Sequence, residues 1–281
     1  MFSALSSLGG VIKSAAAASL PKEYPPFTTS LTGGDVTYTG SVYVLTFKSS
    51  GSLVFKTGVT LPTTVNYLLV GGGGSGSVGN NPGGGGAGGS VVQLQAGGSG
   101  VIATSDLTKT FTFTVATSVA GPYIPGTNGL VGNNGNPTSA AITGGSTYTA
   151  AGGYSGKADG TGGTGANGGG SGGNKGLSGD SGSIGTTVSI RSVSYIFGGG
   201  GSGGGNGGTN PIGGLGGGGG AGNGSLGNNG LAYNRPNGVS QTGGAPGFAN
   251  SGGGGAGCNA TNDFSARAGG SGIAVVWFTY T

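Results

Sequence analysis

The stretch GSGGNKGLSGDSGSIG, Gly170 to Gly185, places glycine at 170, 173, 176, 179, 182 and 185, at every third position. Just upstream, Gly153, Gly156, Gly162, Gly165 and Gly168 hold another three-residue phase, interrupted by Asp159. A period of three belongs to neither an α-helix nor a strand. It matches the polyproline-II helix, which turns once in about three residues and makes no internal hydrogen bonds. Collagen shares that period, but here the series is short, changes phase and has only 11 prolines in the whole chain. The pattern predicts a bundle of short left-handed polyglycine-II helices. Each has a side free of Cβ atoms against its neighbours, and backbone N–H and C=O groups bonded laterally. Fixing a glycine costs about 0.5–1 kcal/mol more than fixing an alanine, and a lateral hydrogen bond contributes about 0.5–1.5 kcal/mol net. Such a lattice must therefore be close to fully bonded.

Glycine accounts for 77 of the 281 residues, against about 7 % in an average protein. Seven of them lie in residues 1–70 and the rest follow from Gly71 onward. This composition step divides the chain into an N-terminal segment with a Pro-rich linker (1–26), a β-rich lead-in (27–70) and a glycine-rich body (71–281). Glycine-rich chains commonly act as flexible linkers. Here the body keeps apolar runs at Phe111–Val115, Val188–Phe197 and Ile273–Tyr280, which disordered segments lack.

Those runs supply the strands. Val42–Phe47 and Ser52–Phe55, separated by Ser49-Ser50-Gly51, read as a hairpin. Val65–Val70 is apolar at every position except Asn66, as in a strand buried on both faces. Phe111–Val115 alternates aromatic and hydroxyl residues. Val188 and Ile190 alternate in one phase and Val193, Tyr195 and Phe197 in another, so a bulge is expected near Ser192. Ile273–Tyr280 holds the single tryptophan, Trp277, and reads as a central strand. The expected fold is mostly β and irregular. It combines a small antiparallel β-sheet or sandwich with a bundle of polyglycine-II helices and a short N-terminal α-helix.

The chemistry implied by composition is sparse. Histidine is absent, one cysteine is present, and the charged residues are six acidic and ten basic. Without imidazole there is no Ser-His-Asp or Cys-His arrangement and no His-ligated metal, and six scattered carboxylates offer little for paired acid–base work. No enzyme, cofactor or metal site is expected. A lone cysteine forms no intrachain disulfide. The net charge of +4 arises from separated residues without a basic cluster, so nucleic-acid binding is not expected. GxGxxG matches carry no weight in a chain this rich in glycine. The acceptor patterns at Asn223 and Asn259 are common by chance in such a chain.

In order, GGDVTYTGSVYVLTFKSSGSLVF (33–55), VNYLLVGGGGSGS (65–77), GGGGAGGSVVQLQ (83–95), KTFTFTV (109–115) and the terminal GGSGIAVVWFTYT (269–281) resemble the glycine-rich domain of phage tail-fibre and other virion surface proteins. The resemblance covers residues 33 to 281. It implies a polyglycine-II domain at a virion surface, in an extracellular setting, with loops at one end used for recognition.

At the N-terminus, Phe2, Leu5, Leu8 and Ile12 follow helical spacing and Ala15–Ala18 favours helix until Pro21 stops it. Lys13 interrupts the apolar stretch, so the segment reads as a docking helix rather than a secretory signal. It is expected to anchor on a virion or sibling subunit in preference to a membrane surface. Recognition is expected where bulky groups break the glycine pattern, at Tyr123, Tyr154, Tyr233, Arg235, Phe248 and Phe264, because aromatic residues and arginine are the usual binding anchors. The partner would be a host surface glycan or protein receptor. Two functions follow: a virion surface protein, either a fibre tip or a capsid-attached adhesin, and an extracellular structural protein that assembles into a filament or matrix.

Overall fold

The computed structural model describes residues 25–79, 83–97, 100–122, 129–165, 180–203, 246–259 and 267–280. Strands β1 (Phe27–Leu31), β2 (Asp35–Thr39), β3 (Val42–Phe47), β4 (Gly51–Phe55) and β5 (Val65–Val70) come first. They are followed by β6 (Val78–Gly79), β7 (Val91–Ala96), β8 (Phe111–Thr114), β9 (Thr138–Ile142) and β10 (Thr147–Ala150). The remainder are β11 (Thr186–Ile190), β12 (Val193–Phe197), β13 (Cys258–Asn259) and β14 (Ile273–Thr279).

Two five-stranded antiparallel sheets form a sandwich, ordered β1-β4-β8-β9-β10 and β2-β3-β14-β5-β7. Alternation explains which residues meet between them. Phe27, Leu53, Phe55, Phe111, Phe113 and Ile142 from the first sheet face Tyr43, Leu45, Phe47, Tyr67, Val276 and Phe278 from the second. The rings of Phe47 and Phe113 stack across the gap at 4.4 Å between centroids. The odd positions of β14 point the other way. Ile273 and Val275 pack with Val44, Leu68 and Val70 beneath the β11–β12 hairpin, which adds a third layer through Val188, Ile190 and Phe197. The C-terminal run is thus central, with β14 paired to β3 on one side and β5 on the other.

Three expectations are corrected. Among the described residues there is no α-helix, and the only helical element is the 3-10 turn Thr104–Thr108. Among the described residues the fold is therefore β-rich, and the expected short α-helix is not part of it. The apolar runs of the described residues alternate with the two-residue period of strands and pack between sheets. Residues 1–24, with Phe2, Leu5, Leu8 and Ile12, lie outside the described residues. Second, β3 and β4 do not pair as a hairpin: β3 pairs with β2 and β14, and β4 with β1 and β8. The Lys48–Ser50 link crosses from one sheet to the other, which lets the inward residues of both strands face each other across the core. Third, the phase change near Ser192 is a two-residue turn instead of a bulge. Ile190 pairs with Val193, and Arg191 and Ser192 both adopt positive φ, at 52° and 62°, the twist that short hairpins favour.

Most glycine segments run directly on from sandwich strands. Rod 71–78 continues β5, rod 83–90 leads into β7, rod 116–120 follows β8, rod 129–137 precedes β9, rod 151–157 follows β10 and rod 267–272 leads into β14.

Candidate functional site

The rods form a lattice whose geometry is legible in its hydrogen bonds. Along rod 71–78, Gly71, Gly74 and Ser77 donate their N–H groups to Ser90, Ala87 and Gly84 of rod 83–90. Gly72, Ser75 and Val78 donate to Asn136, Asn133 and Leu130, and Gly73 and Gly76 to Gly270 and Arg267. Successive donors address three different neighbours and return to the first after three residues. That is the lateral bonding of a threefold polyglycine-II helix.

Six described segments ring this central rod. Rod 83–90 bonds to rod 151–157 through Ala87 N to Tyr154 O, and that rod meets 129–137 through Gly135 N to Gly153 O. Rod 129–137 meets 116–120 through the amides of Asn133 and Asn136, which donate to Ala120 and Thr117. Rod 116–120 meets 267–272 through Gly269 N to Val119 O. Rod 252–257 closes the ring, accepting from Gly270 and from Gly86. The central rod is buried along its whole length. A Cβ at Gly73 would strike the carbonyl of Gly253, and one at Gly76 the carbonyl of Ala256. The buried hydroxyls of this rod are satisfied. Ser77 Oγ donates to Lys157 O at 2.7 Å, and Ser75 Oγ accepts from Asn133 N at 2.7 Å.

Strand pairing sets the polarity of the bundle. The sandwich closes one end, and the short parallel pair β6–β13 lies at the other. Three connections, over residues 80–82, 123–128 and 260–266, are entered and left toward that distal end; the chain also leaves there at Gly203 but resumes beside Gly253 and Gly270, at Gly247. The turn at Ala158–Gly160 also lies at the distal end, closed by Gly160 N to Lys157 O.

Of the expected recognition residues, Tyr123, Tyr233, Arg235 and Phe264 lie outside the described residues. Tyr154 and Phe248 are exposed, at 56 % and 46 %, but the structure does not bring them together. Tyr154 sits on rod 151–157. Phe248 sits beside rod 267–272, where a Cβ at Gly270 would meet its carbonyl. These two rods occupy opposite positions of the ring.

Sequence reasoning passed over a second feature, on the open part of the outer face of the β14 sheet. In one cross-strand row Gln95 pairs with Asn66, and Asn66 with Trp277. Gln95 Nε2 donates to Asn66 Oδ1 at 3.3 Å, and Asn66 Nδ2 donates to Trp277 O at 3.5 Å. With Gln93 and the loop at Gly100–Val101 this row lines a groove of about 380 Å³. The wall is fixed: Ile102 N donates to Gln95 O, and Tyr148 OH to Val101 O at 3.2 Å. The available signal was Asn66, the polar interruption of Val65–Val70, together with the alternation of Gln93 and Gln95.

Among the described residues, no three His, Cys, Asp or Glu side chains gather where they could hold a metal ion, and no helix is long and apolar enough to cross a membrane. A family model described as a glycine-rich domain matches residues 48–281. No curated protein matches the chain.

Proposed function

The chain belongs to the glycine-rich domain family, and from that premise we propose that it is a non-enzymatic structural protein of a virion surface, a fibre tip or capsid-attached adhesin, presenting a rigid rod bundle for host attachment. The observation that carries this reading is the polarity of the bundle, with a sandwich closing one end and three connections entered and left toward the other. Variable connections on a fixed scaffold are the usual place for recognition. The strand motifs at 33–55, 65–77, 83–95 and 269–281, which resemble those of virion surface proteins, add the setting. The partner in this reading is a host surface glycan or protein.

The test is immunogold labelling of native particles with antibody to the full chain, joined to competition of host attachment by the purified protein. Label at a fixed capsid or tail position, with attachment reduced by the free protein, supports the proposal. Label along an open polymer of this chain alone replaces it with a filament or matrix protein.

A further inference from the structure

We propose that the groove beside Trp277 binds a neutral saccharide. Three features of the groove point to that ligand class. Trp277, half-buried against the Val44 and Val275 cluster, lines the groove with an indole, the kind of side chain on which the C–H face of a sugar ring stacks. Beside it stand the amides of Asn66, Gln93 and Gln95. Each is a planar group holding donors and an acceptor together, matched to adjacent hydroxyls that both donate and accept. None of the lining residues is charged, so the groove offers no counter-ion to an acidic sugar or a phosphate.

The arrangement is also built in advance. Gln95 is tied to Asn66, and Asn66 to the backbone of Trp277. Val101, 68 % exposed, is held by Tyr148 from the opposite sheet. Among the described residues, Gln95 Oε1 and the Gln93 amide make no hydrogen bond with the protein, which leaves both for a ligand. The volume of about 380 Å³ suits a mono- or disaccharide. This inference gives the attachment reading a ligand class at a place distinct from the distal connections, and it stands or falls by its own measurement.

Trp277 is the single tryptophan of the chain, so its emission reports on the groove directly. The experiment titrates the purified full chain with a panel of neutral mono- and oligosaccharides and acidic counterparts, followed by tryptophan fluorescence and by calorimetry. A saturable emission change with a neutral sugar is expected. Q93A and W277F should each weaken binding by roughly tenfold by calorimetry, with unchanged thermal midpoint in Q93A. The proposal is overturned if the folded protein shows no saturable response to any neutral sugar, if it responds only to acidic ones, or if both variants bind as the parent does. Failure here with correct particle labelling leaves the virion-surface reading standing, and sugar binding without particle labelling does the reverse.

Discussion

A Cβ built on Gly73 falls on the carbonyl oxygen of Gly253, whereas a Cβ built on Gly253 finds Ser251 Oγ as its nearest neighbour, at 3.2 Å. The contact is one-sided: Gly73 is in the enclosed central rod, and Gly253 turns its absent side chain toward a small hydroxyl. Gly73→Ala is therefore expected to destabilise by about 3 kcal/mol or more, because the obstacle is backbone that cannot rotate away. Gly253→Ala is expected to cost no more than about 1 kcal/mol. Chemical denaturation of both variants checks the difference, and equal losses would contradict the packing.

Tyr67 lies fully buried against Phe111, and its hydroxyl has no hydrogen-bond partner among the described residues. Burial pushes its ionisation well above the usual tyrosine range. The folded state therefore keeps the proton after the unfolded chain has released it. Stability from this group is complete below pH 10 and is lost as pH rises beyond it, by about 1.4 kcal/mol per unit. Tyr67→Phe should stabilise by about 1 kcal/mol at neutral pH, since it deletes an unsatisfied buried group, and should flatten the alkaline limb. Thermal midpoints measured from pH 7 to 11.5 read both effects.

The β11–β12 turn places two non-glycine residues, Arg191 and Ser192, at positive φ. Each carries steric strain of about 1 kcal/mol or more. Replacing the pair with Asn-Gly, R191N and S192G together, is expected to raise stability by about 1–2 kcal/mol. A lower thermal midpoint for the double variant would argue against the turn geometry.

Phe113 stacks on Phe47 between the sheets, and both are fully buried. Phe113→Ala should cost about 3–5 kcal/mol. Because the rods continue the strands without a break, sandwich and bundle are expected to melt together. Near-ultraviolet dichroism of the aromatic core and amide exchange of the glycine rods should shift in parallel; a surviving protected rod lattice would show two independent units.

The threefold geometry was legible in the sequence, but from a peripheral element. A rod with neighbours on one side needs glycine only at every third position. In rod 151–157 the buried residues are Gly153 and Gly156, while Tyr154 and Lys157 face solvent. The series from 170 to 185 has this character where it is described, at Gly182 and Gly185, and residues 166–179 lie outside the described residues. After the turn at Asp159 burial passes to Gly160 and Gly163, one residue off the phase of Gly162 and Gly165. The central rod is surrounded and excludes bulk at all three positions, so it reads as Gly71–Gly74, Ser75, Gly76, Ser77, with no period to detect. Among the strands, β14 and β8 announced themselves through aromatic and branched residues. Strands β9 and β10, TSAAI and TYTA, carry too little apolar contrast to be read alone, and their pairing partners define them. The Trp277 groove was hidden for a related reason: its amides come from β5 and β7 and its indole from β14, far apart in the chain, and only the register aligns them.

The direct passage of strand into rod has a mechanical consequence. Tension applied at the distal connections runs along the backbone of each rod into a sandwich strand on the same axis. The lateral bonds of neighbouring antiparallel rods, such as Gly71, Gly74 and Ser77 to 83–90, are then loaded in shear and resist together, where a peeling geometry would break them one after another. A module built this way withstands pulling along its length better than prising at its side.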